Sequence, residues 1–188
     1  IQTMFVDNIR IFARAGKGGN GLVSFRRAKF VPKGGPDGGD GGDGGSVILE
    51  VDPHTNDLRS FFYDPKLIAT DGVGGQSAKK HGKNGKSVIG KVPPGTIIYR
   101  SNASSMAEAT WLEREGEGIE LEKIADLTEI GTRFTLCQGG LGGKGNWHFR
   151  SATNQAPTEA EMGTEGEEGV FFMELRRIAD AGLVGYPN

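Results

Sequence analysis

Residues 34–45 read GGPDGGDGGDGG, and from Gly38 to Gly45 a pair of glycines returns every three residues. Three residues per turn is the period of the polyproline II helix, and glycine along one side lets such helices approach closely. Close approach of this kind also permits Cα–H···O contacts between backbones, each of them weak. A floppy linker is the usual fate of glycine-rich chain. Here, however, the same composition recurs in AGKGGNG (15–21), DGVGG (71–75), HGKNG (81–85) and GGLGGKGN (139–146), with almost no serine. Packed polyproline-like segments are therefore expected. Collagen is excluded, because the triplet run is short and lacks proline enrichment.

Between the tracts lie strand-like segments. Ile9 and Ile11 alternate within FVDNIRIFAR (5–14), as do Val47, Leu49 and Val51, and Ile119 and Leu121. Ser87–Val92 and Gly95–Tyr99 flank Pro93-Pro94 and read as two strands joined by a Pro-Gly turn. Arg133–Cys137 and Val170–Ile178 are further strand candidates, and Ser105–Glu115 is the one short helix candidate. The expectation is a mainly β chain with many turns. Its 32 glycines among 188 residues compare with a usual ~7%. No apolar run approaches the ~20 residues of a membrane helix, so no membrane span is expected. A lone cysteine, Cys137, excludes an internal disulfide framework and fits a reducing, cytoplasmic setting.

The net charge of −2 conceals an asymmetry: residues 1–100 hold 15 Lys/Arg and 9 Asp/Glu, residues 101–188 hold 7 and 15. A nucleic-acid surface on the first half is thus compatible with a near-neutral total. Three basic clusters adjoin glycine tracts. They are Arg26-Arg27-Ala-Lys29-Phe-Val-Pro-Lys33, Lys79-Lys80-His81-Gly-Lys83-Asn-Gly-Lys86, and Lys144-Gly-Asn146-Trp147-His148-Phe149-Arg150. Lys and Arg neutralise phosphates and exposed aromatics stack on unpaired bases, so structured RNA is the natural target. The candidate RNA contacts are Arg26, Arg27, Lys29, Lys33, Lys79, Lys80, Lys83, Lys144, His148 and Arg150. Solvated loop tips remain the plainer alternative for any one cluster, and Phe25, Phe30 and Phe149 read equally well as core residues.

Other motifs mislead. Gly16–Gly21 and Gly140–Gly145 fit G-x-G-x-x-G by letter, but no helix signal follows either. Gly38–Asp43 resembles the start of a calcium-binding nonapeptide repeat, yet Gly45 stands where a large aliphatic residue is needed. His54, His81 and His148 are far apart in sequence, so no metal site is expected, and no catalytic constellation is legible within these residues.

Several segments together resemble the N-terminal portion of the bacterial Obg-family GTPases, also called CgtA. They are MFVDNIRIFARAGKGGNGLVSFRR (4–27), VPKGGPDGGDGGDGG (31–45), KVPPGT (91–96), IADLTEIG (124–131), QGGLGGKGN (138–146), TNQAP (153–157) and ELRRIADAGLVGYPN (174–188). They follow the family order over nearly the whole chain, although Ser101–Glu122 is longer and more acidic than the family pattern. The resemblance implies an Obg fold over 1–178, with glycine-rich polyproline-II-type helices projecting from a small β-barrel. Residues 179–188 would then open an OBG-type GTPase domain, with Gly185, Tyr186, Pro187 and Asn188 beginning its phosphate loop. The loop lysine and the magnesium-binding hydroxyl of G-x-x-x-x-G-K-[ST] would lie past Asn188.

Further implications are GTP hydrolysis with GTP and magnesium in the full-length parent, but no catalytic residue and no bound cofactor here. The implied role is large ribosomal subunit assembly with a guanosine tetraphosphate stress response. The implied partners are that subunit, its rRNA and the GTPase domain in cis. The alternative is a regulatory module that docks on the GTPase domain or on another protein.

Overall fold

The computed structural model describes residues 7–30, 34–115 and 118–176. Eight strands appear in the order β1 (Asn8–Arg14), β2 (Val47–Val51), β3 (Lys66–Ile68), β4 (Val88–Val92), β5 (Thr96–Ser101), β6 (Leu121–Leu127), β7 (Arg133–Cys137) and β8 (Glu168–Leu175). Helix α1 (Arg59–Tyr63) follows β2, and helix α2 (Met106–Glu115) follows β5. The strands group in two sheets, ordered β3-β1-β8-β5-β6 and β4-β2-β7. Alternation decides which side chains meet between them. Ile11 and Ala13 of β1, Val47, Leu49 and Val51 of β2, and Phe171, Met173 and Leu175 of β8 share one buried core.

The opposite face of β1 and β8 is covered by the acidic insertion. Ala109 of α2 packs with Val170, and Met106, Leu112, Phe12 and Phe172 close around them. Arg10 on that face donates to Thr110 at 3.0 Å and pairs with Glu113. The insertion is therefore a lid on the larger sheet. Phe171 and Leu175 belong to a central strand and are buried. The Pro93-Pro94-Gly95 turn exists, with Gly95 at φ +89, but it carries the chain from one sheet to the other, so β4 and β5 are not partners. Cys137 is buried in the core, and burial pushes its thiol up to about 12.

The glycine tracts project from this β unit. Each of six arm segments continues a strand: 15–22 follows β1, 37–45 leads into β2, 70–76 follows β3, 80–86 leads into β4, 138–146 follows β7 and 161–167 leads into β8. Apart from Asn146, which opens a 3-10 turn, none has helix or strand structure of its own, and their backbone hydrogen bonds go to neighbouring segments at every third residue. The first and second arms show the pattern: Gly16, Gly19 and Leu22 donate to Gly45, Gly42 and Gly39 at 2.8–3.0 Å. A polyproline helix has no internal hydrogen bonds, so every N–H is available to a neighbour.

The second arm explains the triplet. A Cβ on Gly38, Gly41 or Gly44 would lie 1.8, 1.9 or 1.9 Å from the carbonyl oxygens of Leu22, Gly19 and Gly16 in the first arm. A Cβ on Gly39, Gly42 or Gly45 would lie 2.1, 2.2 or 2.2 Å from those of Lys80, Lys83 and Lys86 in the fourth. Aspartate occupies the third side. There Asp40 and Asp43 accept the N–H groups of Gly145 and Gly142 at 2.7 and 2.8 Å. Two sides of the helix have no room for a side chain, and the third uses a carboxylate to satisfy the fifth arm.

Candidate nucleic-acid interface

Three connections join the arms in pairs at the end remote from the strands: 23–36, 77–79 and 147–160. The basic residues lie in these connections or on the arm ends beside them. Arg26, Arg27, Lys29, Lys79 and Arg150 are exposed there, and Lys80, also exposed, opens the fourth arm. Lys33 lies outside the described residues. Lys144 is exposed on the fifth arm just before the third connection. Lys83 stands one polyproline turn back, ~9 Å from the tips, where its carbonyl accepts from Val73.

Particular side chains tie the tips together. Asn146 is fully buried. Its Oδ1 accepts the Gly38 N–H at 2.9 Å, while its Nδ2 donates to the carbonyls of Ser24 and Pro157 at 3.1 and 3.0 Å. One amide thus joins both sides of the first connection to the far end of the third. The second connection is tied by Asp37, whose backbone carbonyl accepts from Lys79 at 2.7 Å and whose Oδ2 accepts from Ala78 at 3.2 Å. Lys79 Nζ lies 5.0 Å from the centre of the Trp147 ring, across two connections.

Asp40 receives one histidine from the fourth arm and one from the third connection. His148 Nε2 donates to Asp40 Oδ2 at 2.8 Å, and His81 Nε2 stands 3.6 Å from the same oxygen. Histidines remote in sequence are therefore close in space. Among the described residues, no group of His, Cys, Asp or Glu has the geometry to hold a metal ion. Burial pushes the Asp40 carboxyl up, but the Gly145 hydrogen bond, then the bond and charge of His148, then the charge of His81, bring it below its ordinary value. A lowered carboxylate contributes stability above its unfolded value of 3.8, and that contribution is lost as pH falls through the folded value. Asp40→Asn should therefore flatten the acid limb of thermal stability. Melting temperatures followed downward from about pH 5 test this, and an unchanged acid slope would reassign it.

The aromatics divide. Phe30 is 88% exposed at φ +67, a left-handed conformation uncommon for a bulky residue. It is therefore not a core residue. Phe25 is half-buried and bridges Pro36, and Phe149 is half-buried on the 3-10 turn Asn146–Phe149. Ala78 and Lys79 are also left-handed, at φ +60 and +56. Non-glycine strain thus gathers at the tips. Both G-x-G-x-x-G matches lie inside arms, where their glycines face neighbouring backbone and no α-helix follows. Tyr186 and its neighbours Gly185, Pro187 and Asn188 lie outside the described residues.

Sequence reading missed Asn146 and the partnership of Asp40 with His81. Asp40 stands at the non-glycine place of the triplet run, but nothing in the sequence names its partners.

A profile of the GTP1/OBG family matches residues 6–177. The GTPase Obg of Methylacidiphilum infernorum (isolate V4) is 49% identical over 187 residues, covering 98% of this chain and 51% of that protein. That of Chlorobium chlorochromatii (strain CaD3) is 50% identical over 184 residues, covering 98% and 49%. That of Clostridioides difficile (strain 630) is 47% identical over 185 residues, covering 98% and 40%. The chain spans about half or less of the length of these relatives.

Proposed function

The chain belongs to the GTP1/OBG family, and we propose that it is the RNA-engaging Obg domain of a GTP-hydrolysing protein that acts on the large ribosomal subunit. The observation that carries this reading is the convergence of three basic connections at one end of a stiff bundle, tied by Asn146 and Asp37. Cations held in fixed relative positions, with Phe30 exposed beside them, suit folded RNA with unpaired bases better than a uniform duplex.

In this reading residues 1–178 are the Obg domain and 179–188 open the GTPase domain. GTP would be bound by Gly185, Tyr186, Pro187, Asn188 and residues beyond them, and magnesium by residues past Asn188. Their chemistry is phosphoryl transfer to water, and the described residues of this chain bind and orient RNA. The nucleotide state sets how the arm is presented, so the ribosome must bind the two states with different affinity. Assembly of the subunit in the cytoplasm, and sensitivity to guanosine tetraphosphate, complete the proposal. Among the described residues, no helix is long and apolar enough to cross a membrane.

Co-sedimentation of this chain with purified large and small subunits tests the reading. Binding to the large subunit should weaken as salt rises, with a log–log slope of about −0.7 per phosphate neutralised on single strands. Joint replacement of Arg26, Arg27, Lys79, Lys80, Lys144 and Arg150 by alanine should weaken binding at low salt and flatten that slope. Full binding by this variant would remove the tips from the interface. No binding by the unaltered chain at any salt would favour a regulatory docking module.

A further inference from the structure

Two imidazoles converge on one carboxylate oxygen at the base of the tips. Asp40 Oδ2 lies 2.8 Å from His148 Nε2 and 3.6 Å from His81 Nε2, while Oδ1 accepts the Gly145 N–H at 2.7 Å. The Asp40 side chain is 14% exposed, and those of His148 and His81 are 31% and 70% exposed. The anion is thus nearly enclosed, while both rings stay open to protons from solvent. Imidazole is the side chain whose ordinary titration falls between about pH 5 and 8. With both rings neutral the cluster carries a charge of −1, and with both protonated it carries +1.

The surroundings decide what that change of charge acts on. On the same arm, Asp37 and Asp43 turn elsewhere, to the N–H groups of Ala78 and Gly142. The fourth arm places exposed Lys80 and Lys83 on either side of His81, and the fifth places exposed Lys144 next to Gly145. His148 stacks on Trp147 with ring centres 3.8 Å apart, and Lys79 Nζ of the second connection stands 5.0 Å from the centre of the same indole. The cluster therefore lies among the cations assigned to RNA. With neutral rings its carboxylate weakens the field a phosphate meets, and the doubly protonated cluster strengthens it. We propose that protonation of His81 and His148 around Asp40 tunes RNA binding at the tips, so that this chain takes up protons as it binds. The inference rests on the RNA-engaging reading above. The bound state holds more protons than the free one, so affinity rises as pH falls and levels off once the free protein is itself protonated. Asp40 is a positioning residue. It draws both rings to one oxygen, and without its charge the two imidazoliums repel each other.

Co-sedimentation of this chain with purified large subunits between about pH 8 and pH 6, at one ionic strength, tests this. Binding should be about tenfold tighter at the lower pH. His81→Gln and His148→Gln should each cut that gain to about threefold, whereas His54→Gln, in the β2–β3 connection, should leave it intact. Asp40→Asn is the decisive variant. Its oxygen still accepts the Gly145 N–H and its amide can donate to the neutral ring of His148, so the contacts persist while the charge is gone. The gain should again fall to about threefold or less. A second measurement needs no RNA. Trp111→Phe leaves Trp147 as the one tryptophan, and protonation of the stacked His148 quenches indole emission. Emission should therefore fall across the same pH range, and Asp40→Asn should carry that fall to lower pH. Equal affinity of the unaltered chain at both ends of the range would overturn the inference and leave RNA binding standing. A full gain in Asp40→Asn would overturn it as well, since the histidines would then act as independent surface cations. No binding at any pH would remove the functional reading and this inference together, so the two failures are told apart.

Discussion

Gly41→Ala is expected to lower the melting temperature by roughly 6–12 °C or more, while Gly74→Ala leaves it unchanged or raises it by a few degrees. Both replace an arm glycine, and neither position has a positive φ. They differ in what the new methyl meets. At Gly41 it would lie 1.9 Å from the Gly19 carbonyl oxygen and 2.2 Å from its carbon. That neighbour is backbone and cannot rotate away. Gly19 is held by its bond to Gly42 at 2.8 Å and by accepting from Gly143 at 2.9 Å, so relief requires two arms to part along their length. Overpacking costs about 1–3 kcal/mol even where side chains can yield. With bonds lost as well, ~3 kcal/mol is a lower figure, and each kcal/mol is worth about 2–4 °C at this size. At Gly74 the nearest atom is the Asn20 carbonyl oxygen at 3.5 Å, an ordinary contact. There alanine restricts the unfolded chain and stabilises by about 0.4–1 kcal/mol. Equal melting temperatures for the two variants would mean that the arms are not packed as described.

The same contrast explains what the sequence made legible. A triplet that tolerates no Cβ on two sides leaves a direct trace in composition, because only glycine satisfies it. Alternation left an equally direct trace at Ile9, Ile11, Val47, Leu49 and Val51, which all face the core. Partner choice left none. The arms recognise one another through backbone N–H and carbonyl groups, which every residue carries, so nothing marks 15–22 as the neighbour of 161–167. The same holds for the turn at Gly95: its residues predict a reversal, but not that the next strand enters the other sheet. Asp40 and His148 are separated by 108 residues, and their contact depends on a register set by backbone bonds between other residues. The basic clusters were legible one at a time. Their convergence is a consequence of strand order, since each arm continues a strand and the sheets fix where each arm begins.

Asn146→Ala should destabilise the chain by about 2 kcal/mol or more and weaken RNA binding, although it removes no charge. The amide is fully buried and spends its oxygen and both its hydrogens on backbone groups of three different segments. Alanine leaves the Gly38 N–H and the Pro157 carbonyl without a partner, each at a cost of about 1–3 kcal/mol, while the Ser24 carbonyl still accepts the Asp37 N–H at 2.8 Å. Asn146→Asp separates geometry from hydrogen bonding. Aspartate has the same shape, but when ionised it places two acceptors where the site needs one acceptor and a donor pair. Its folded pKa is therefore raised above the unfolded ~3.9, and the variant should lose stability as pH rises through that value toward the folded one. The wild type has no such group at 146 and should not share this loss. RNA binding carries the remaining distinction. Charge removal at the tips flattens the salt slope in proportion to the phosphates released, whereas Asn146→Ala leaves every cation in place but frees the connections from one another. Below its melting temperature, this variant should lose affinity because ordering the tips now falls on the binding step. If it melts early yet binds RNA as tightly as the wild type, the cations act independently and their convergence has no part in recognition.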